Sequence, residues 1–444
     1  MSKSSRIVPN RLYSSLTVTL RLFALTEGAR RLANKGSPNC QAATMGVGVS
    51  AVLHTAGTYR AAEFFAGIGL VGSALEAEGI QVAYANDIDP VKQRLFAANF
   101  NSDIFHAGDI RQVKGSDVPA IDLATASFPC TDLSLAGNRA GLAGEQSGMF
   151  WEFARILEEM GDKKPRAILL ENVVGFFSSN GGEDMRAAFR RLNEMGYFCD
   201  LIFVDAKWFL PQSRPRVFII GSLSALRGDK KCRGGSPLRP KWFCDFAEHN
   251  PDLLTQTLAL KTPTNEVGSL AEYVERIESG DARWWDAKKT TAFLATLSDI
   301  NKERVERLRK SKTLTWRTTY RRTRNGKPVW EVREDAVSGC LRTAKGGSSK
   351  QAIVEAGNGI VRVRWMTARE YARLQGAPKF KFGDVTESQA MFGFGDAVCV
   401  PAVRYIVHDY LVPLLSGDIT EKAVEPTHEG IKRDRRHSAM PSYA

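Results

Sequence analysis

Ala61-Ala62-Glu63-Phe64-Phe65-Ala66-Gly67-Ile68-Gly69 decides the fold. An apolar run ends in two closely spaced glycines and passes into a helix-like stretch through Ala77. Such a strand, turning through glycine into a helix, lets backbone approach a nucleotide-like ligand, and the helix N-terminus favours an anionic group. Outward from it the rhythm repeats. Gln81–Ala85 reads as a strand ending in Asn86-Asp87, and Pro90–Phe100 has helical spacing. Ile121–Ala126 is strand-like and ends in Phe128-Pro129-Cys130, and Phe150–Met160 is an amphipathic helix. Ala167–Leu170 is a short buried strand closing on Glu171-Asn172, Ala187–Met195 is helical, and Val217–Gly221 is another strand. Strands separated by helices of about ten residues imply an α/β fold with a mostly parallel sheet and right-handed crossovers.

In an open sheet of this kind, ligands bind at the carboxyl ends of the strands. Asp87 stands where a carboxylate meets ribose hydroxyls, although Asp89-Pro90 also makes this region a plain helix start. Asp109, at the next strand end, is placed to accept from an adenine amino group or to serve as a turn residue. Cys130 is either a thiolate nucleophile or a small core residue. The glycine-rich loop 131–148 that follows it suits a lid. Glu171 ends a buried strand, where it is either a carboxylic acid of raised pKa, able to give a proton to a ring nitrogen, or a salt-bridged cap. In Gln212-Ser213-Arg214-Pro215-Arg216 the alternating arginines share a face, fit for a carboxylate and a substrate carbonyl or for a solvated strand edge.

Charge is concentrated rather than spread. The chain has 444 residues and a formal net charge of +12. Residues 1–60 hold eight basic residues against Glu27, and 302–327 hold eleven against two acids, so the rest is slightly acidic. An acidic partner is implied, nucleic acid first. In 302–327 the residues Trp316, Arg317, Arg321, Arg322, Arg324 and, just beyond, Trp330 interleave ring and cation, as phosphate contact requires, while Lys302–Lys312 also reads as a solvated helix face. The seven cysteines are odd in number and contain no Cys-x-x-Cys pair. No disulfide framework and no metal site are expected, and a reducing compartment fits. No apolar run approaches the roughly 18–20 residues of a membrane span, and no secretory signal is expected.

The expected organisation is a basic extension over 1–57, a first catalytic part over 58–222, a smaller domain over 223–340, a return to the first domain over 341–415, and a charged tail over 416–444. The extension reads as a disordered tail, a presequence, or an over-extended start with initiation at Met45.

The ordered series Phe-x-Gly-x-Gly (65–69), Pro129-Cys130, Glu171-Asn172-Val173 and Gln-x-Arg-x-Arg (212–216) resembles the DNA (cytosine-5) methyltransferase family. It continues in Thr367-Ala368-Arg369-Glu370, Arg373-Leu374-Gln375-Gly376 and Phe394-Gly395-Asp396-Ala397-Val398. The resemblance implies a Rossmann-like, doubly wound S-adenosylmethionine-dependent methyltransferase fold, with a target-recognition domain in 223–340. It implies a cofactor pocket of Phe65, Gly67, Ile68, Gly69, Asp87, Asp109, Ile110, Pro129, Asp396 and Val398. It makes Cys130 the nucleophile, Glu171 the partner of cytosine N3 and the exocyclic amine, and Arg216 the contact to the base carbonyl, with Arg214 in support. It assigns DNA contact to Ser134 and Arg139 of the loop, to Arg317, Arg321, Arg322 and Arg324, and to Arg342 and Lys345.

The implied activity is methyl transfer from S-adenosylmethionine to cytosine C5 in a specific duplex sequence, with base flipping and a covalent Cys130–C6 intermediate. The expected setting is a monomer in the bacterial cytoplasm at the nucleoid, without a membrane and with a cognate restriction endonuclease as a partner. The sequence departs from the family pattern at Leu70, Thr131 and Asp396, where Gly, Gln and Asn are usual. Three rivals are an RNA cytosine-C5 methyltransferase, a non-catalytic DNA-binding regulator on the same scaffold, and a nicotinamide oxidoreductase. The last leaves Pro129-Cys130 and 212–216 unexplained.

Overall fold

A computed structural model describes residues 59–129, 148–229, 232, 234–264, 266–324, 326–343 and 350–421. The extension 1–57, Cys130, Ser134, Arg139, Lys345 and most of the 416–444 tail lie outside the described residues.

Seven strands form the larger sheet: β1 (Tyr59–Phe64), β2 (Ile80–Asp87), β3 (Phe105–Ala107), β4 (Leu123–Ala126), β5 (Ala167–Val173), β6 (Phe198–Asp205) and β7 (Pro215–Ser222). Their order is β3-β2-β1-β4-β5-β7-β6, and only β7 runs against its neighbours. The strand order thus reverses beside β1, and the glycine turn and Asp87 both leave the sheet near that switch. Side chains two apart on a strand share a face. Ala167 and Leu169 of β5 therefore join Phe218 and Ile220 of β7 in one core, while Ile168 and Leu170 join Val217 and Ile219 in the other. The first core is closed by helix Leu70–Glu76 and by the late helices Glu387–Asp396 and Val400–Ile406. The second is closed by Met149–Glu159 and Glu183–Glu194, through Phe150, Phe153, Leu157, Phe189 and Leu192. Burying each such side chain contributes about 1.5–3 kcal/mol.

The sequence reading passed over β6, whose Phe198-Cys199-Asp200-Leu201 carries a fully buried carboxylate. The cause is Arg239, which meets both oxygens of Asp200. A charged residue in a buried strand breaks the apolar pattern, and its partner lies 39 residues away.

The smaller sheet, β11-β10-β8-β9, is antiparallel: β8 (Thr315–Arg324), β9 (Lys327–Val332), β10 (Ala352–Gly357) and β11 (Ile360–Trp365). It takes strands from both sides of residue 340, so the boundary expected there runs through it. The boundary at 223 also moves: Phe243, Phe246 and Leu253 still pack in the second core, and Leu270 and Val274 in the first. Cys232 and Cys244 are joined by a disulfide, which corrects the expectation of unpaired thiols. Their spacing of twelve gave no motif, and helix Lys241–His249 brings them together. The late helical run 387–416 is long and apolar enough to pass for a membrane span, yet 61% of its most apolar window is buried in the first core.

Glu63 of β1 is 2% exposed, and its Oε2 accepts from the Gly72 amide at 3.0 Å. Burial, reinforced by Glu76 and Asp87, pushes its carboxyl up to about 8 from an ordinary 4.5. The folded chain therefore keeps a proton that the unfolded chain releases. Between those two pH values the folded state binds more protons, so stability falls as pH rises, by at most about 1.4 kcal/mol per unit. Glu63→Gln, which mimics the protonated acid, is expected to flatten this slope in urea melts between pH 5 and pH 8, as an order-of-magnitude window.

Candidate active site

Backbone conformation sets the first wall. Phe65, Gly67 and Gly69 have φ of 55°, 58° and 82°. For phenylalanine this is a strained region, a cost on the order of 1–3 kcal/mol that structure elsewhere must offset. A side chain at Gly69 would strike the Phe96 and Phe100 rings within 3 Å, whereas the space over Gly67 is open, with its nearest neighbours at 4.0 Å. The turn is pinned by Asp87, whose Oδ2 accepts from the Gly67 amide at 2.8 Å and whose Oδ1 accepts from Asp89 at 2.9 Å. Asp89 caps helix Pro90–Ala97 through Val91 and Lys92, which is the helix start expected at Asp89-Pro90. Ile88, between them, is 65% exposed, an apolar surface at a polar turn that the sequence reading did not single out.

Asp109 is engaged from within. It accepts from the Arg111 amide and grips its guanidinium, and that hydrogen bonding holds the Asp109 carboxyl below its usual range. Asn86 ties this loop down through the carbonyls of His106 and Gly108. Ile110 is buried beside it.

The second wall follows from strand direction. Because β7 is antiparallel, its first residues reach the same edge as the last residues of β5, and Arg216 pairs in register with Val173. β5 continues past Leu170 to Val173, so Glu171 lies within the strand. Its Oε1 meets Arg216 Nε at 2.7 Å. Of the two readings of Glu171, the ion-paired carboxylate is the one built. Asn172 donates to the Phe128 carbonyl at 3.3 Å and so anchors the start of the Pro129-Cys130 segment to β5. Cys130 itself lies outside the described residues.

Arg214 does not share the pocket with Arg216. It is 2% exposed and donates to the carbonyls of Leu341 at 2.8 Å, Gly395 at 3.2 Å and Ala397 at 2.6 Å. Asp205 fixes its backbone by accepting from the Arg214 amide. Gln212, fully buried, donates to the Leu374 carbonyl, and Gln375 donates to those of Phe394 and Ala397. This network docks 341–343 and 394–398 onto the first half of the sheet. A supporting role for Arg214 is therefore mechanical. Cys340 sits in the joint, its sulfur 3.4 Å from Arg214 Nη1 and 4.0 Å from Arg216 Nη2. Burial opposes ionisation, but Arg214, Arg216 and Arg342 outweigh it and hold the Cys340 thiol below its usual range.

Docking brings Asp396 to the glycine turn, where its Oδ2 meets Lys92 Nζ at 2.9 Å. Val398 is buried nearby in the first core. Lys92 gave no signal in the sequence, because its partner is remote in the chain.

The basic segment is less bare than its composition. Helix Asp299–Arg309 satisfies part of it internally, with Glu306 pairing to Arg309 and Lys310. On β8, Arg322 and Arg324 both pair with Glu331, and Arg317 donates to the Glu334 and Trp316 carbonyls. Trp316 is buried under Arg276, and Trp330 packs on Trp285 and Trp365, so neither ring interleaves with the arginines as expected. Arg321 is half-buried on the same strand, and Arg342 is exposed beside the late segment.

Comparison with known proteins adds to this geometry. Residues 59–411 match the family model described as C-5 cytosine-specific DNA methylase. The chain is similar to the type II methyltransferase M.DsaV of Dactylococcopsis salina, 28% identical over 82% of this chain and 88% of that one. It is similar to the type II methyltransferase M.Bsp6I of a Bacillus species, 26% identical over 80% and 99%. In fold it is similar to the S. pombe Dnmt2 methyltransferase, with a TM-score of 0.52 at 20% identity, covering 81% of this chain and 99% of that one.

Truncating Arg214 leaves several buried carbonyls without a donor, each worth about 1–3 kcal/mol. Arg214→Met is expected to lower the unfolding free energy from urea melts by an amount on the order of 3 kcal/mol, and with it the midpoint, and to open 341–343 and 394–398 to limited proteolysis. An unchanged midpoint and digestion pattern would refute the clamp.

Proposed function

The chain belongs to the C-5 cytosine-specific DNA methylase family, and on that premise we propose how its residues divide the work. The reaction is transfer of a methyl group from S-adenosylmethionine to C5 of cytosine in DNA. The open glycine turn, the Asp87 carboxylate facing it and the exposed apolar Ile88 fit an adenosyl donor. Phe65, Gly67, Ile68, Gly69, Ile110, Pro129 and Val398 line its pocket, Asp87 holds the ribose, and Asp109 takes the adenine amine. When bound, the donor supplies an electrophilic methyl on a sulfonium.

The single observation that carries the assignment is the Glu171–Arg216 pair at the carboxyl edge of the sheet. Its carboxyl group, protonated on the N3 side, and its guanidinium are complementary to the amine, N3 and carbonyl of one pyrimidine edge. Cytosine C5 is a poor nucleophile in an aromatic ring. Cys130, as thiolate, adds to C6 and makes C5 enamine-like. Glu171 takes up a proton as the base binds and holds it at N3 while its other oxygen accepts from the exocyclic amine, and Arg216 donates to the base carbonyl, so charge developing on the ring is met by fixed groups. C5 then takes the methyl group, a base removes the C5 proton, and the Cys130–C6 bond breaks to release the thiolate. A stacked base hides C6, so the target is flipped out, and the loop 131–148 with Ser134 and Arg139 closes over it.

The substrate is duplex DNA read by the small-sheet unit. Arg317, Arg321, Arg322, Arg324, Arg342 and Lys345 supply phosphate contact, which makes binding fall with salt. The pairs with Glu331 are exposed enough to exchange for phosphate. A companion restriction endonuclease is proposed on the type II names of the relatives. A monomer working at the bacterial nucleoid completes the reading.

Duplex DNA carrying 5-fluorocytosine is expected to trap the chain as an adduct that survives denaturing gel electrophoresis. Cys130→Ser should abolish the adduct, and Glu171→Gln should slow methyl transfer about 10²–10⁴-fold. Labelled methyl appearing on tRNA and not on duplex DNA would reject the substrate, and an adduct persisting in Cys130→Ser would reject the nucleophile.

A further inference from the structure

Asp396 and Lys92 come from opposite ends of the fold, yet they meet at the rim of the donor pocket. Asp396 closes helix Glu387–Asp396, docked there by the Arg214 and Gln375 network, and is 42% exposed. Lys92 rises from the first turn of Pro90–Ala97 and is 16% exposed. Its stem runs past Gly67, with Cδ 4.0 Å from where a Cβ would stand. Burial works against its charge, but Asp87, Asp396 and Asp89 outweigh burial and hold the ammonium charged. Hydrogen bonds between Asn99 and the backbone of Lys381 already join the two segments, so the ion pair is not needed to dock them.

A carboxylate occupies this place where the family pattern has a neutral amide. Alone, it would attract any cation in the pocket. Lys92 cancels it at 2.9 Å. The methyl donor is a sulfonium cation, and its product after transfer is a neutral thioether with the same adenosine and amino-acid parts. The two ligands thus differ by one charge and one methyl group, beside a matched pair of opposite charges.

Resting on the pocket assigned above, we propose that Lys92 and Asp396 are specificity-determining residues that set the balance of affinity between cationic donor and neutral product. Each charge acts on the sulfonium with opposite sign and leaves the thioether nearly untouched. A merely structural latch would weaken both ligands together.

The test is calorimetric titration of the full chain with S-adenosylmethionine, S-adenosylhomocysteine and sinefungin, which carries an ammonium near the sulfonium position. Lys92→Met bares Asp396 and is expected to raise the donor-to-product affinity ratio about three- to tenfold. Asp396→Asn bares Lys92 and is expected to lower it by a similar factor. The double variant should return within about twofold of the parent, sinefungin should follow the donor, and both shifts should shrink in about 0.5 M salt. Thermal melts identify any unfolded variant, and Lys92→Gln and Asp396→Ser give the same signs by different shapes. Ratios that stay constant, or move together in both single variants, overturn the proposal while leaving the pocket intact. Failure of the parent chain to bind any of the three ligands overturns the pocket and the proposal with it.

Discussion

A guanidinium taken out of water costs several kcal/mol unless its donors are met. Arg214 meets that demand at its two Nη atoms, though not at Nε, with the carbonyls of Leu341, Gly395 and Ala397, which belong to a part of the chain more than 120 residues downstream. The bond set works in both directions. It lets a charge sit in the interior, and it leaves the late segment one place to dock. Gln212 and Gln375 extend the same logic with neutral amides. A side chain at Gly395 would collide with the Arg342 backbone, so the two loops approach as closely as glycine allows. This joint is what brings Asp396 to Lys92 beside the glycine turn.

The other half of the site depends on strand direction. A parallel β7 would deliver Arg216 to the far edge of the sheet, away from Glu171. Its antiparallel run places the arginine at Val173 and turns two residues far apart in the chain, Glu171 and Arg216, into one ion pair. Asn172 then uses the same strand end to hold the Phe128 carbonyl. Strain is accepted at Phe65, whose left-handed conformation bends the chain toward the open space over Gly67. Packing of Phe64 and Ile68 in opposite cores over-determines that bend.

Electrostatics in the rest of the molecule is mostly compensated. The basic stretch 302–327 looks like a strong polycation in composition, yet Glu306, Glu331 and Glu334 answer many of its charges. Buried pairs such as Asp200 with Arg239 and Glu370 with Arg364 are a different matter. Each joins elements that apolar packing alone would leave free to slide. Glu370 also closes the capping box of helix Ala368–Leu374 with Thr367.

Local patterns in the sequence carried the alternation of strands and helices, the glycine turn, the Asp89-Pro90 cap and the order of the motifs, because each rests on contacts between near neighbours. Their order was specific enough to imply the family. The sequence could not show β6, because Asp200 interrupts its apolar pattern and is neutralised only by Arg239. Nor could it tell Arg214 from Arg216, which alternate along one strand and look alike. Which faces a substrate edge and which is sunk among carbonyls depends on the late segment packed over β7. The partnership of Lys92 with Asp396, the turning inward of Trp316 and Trp330, and the extent of the small sheet past residue 340 were decided the same way. Contacts between residues far apart in the chain leave no periodic trace, so only the folded arrangement fixes them.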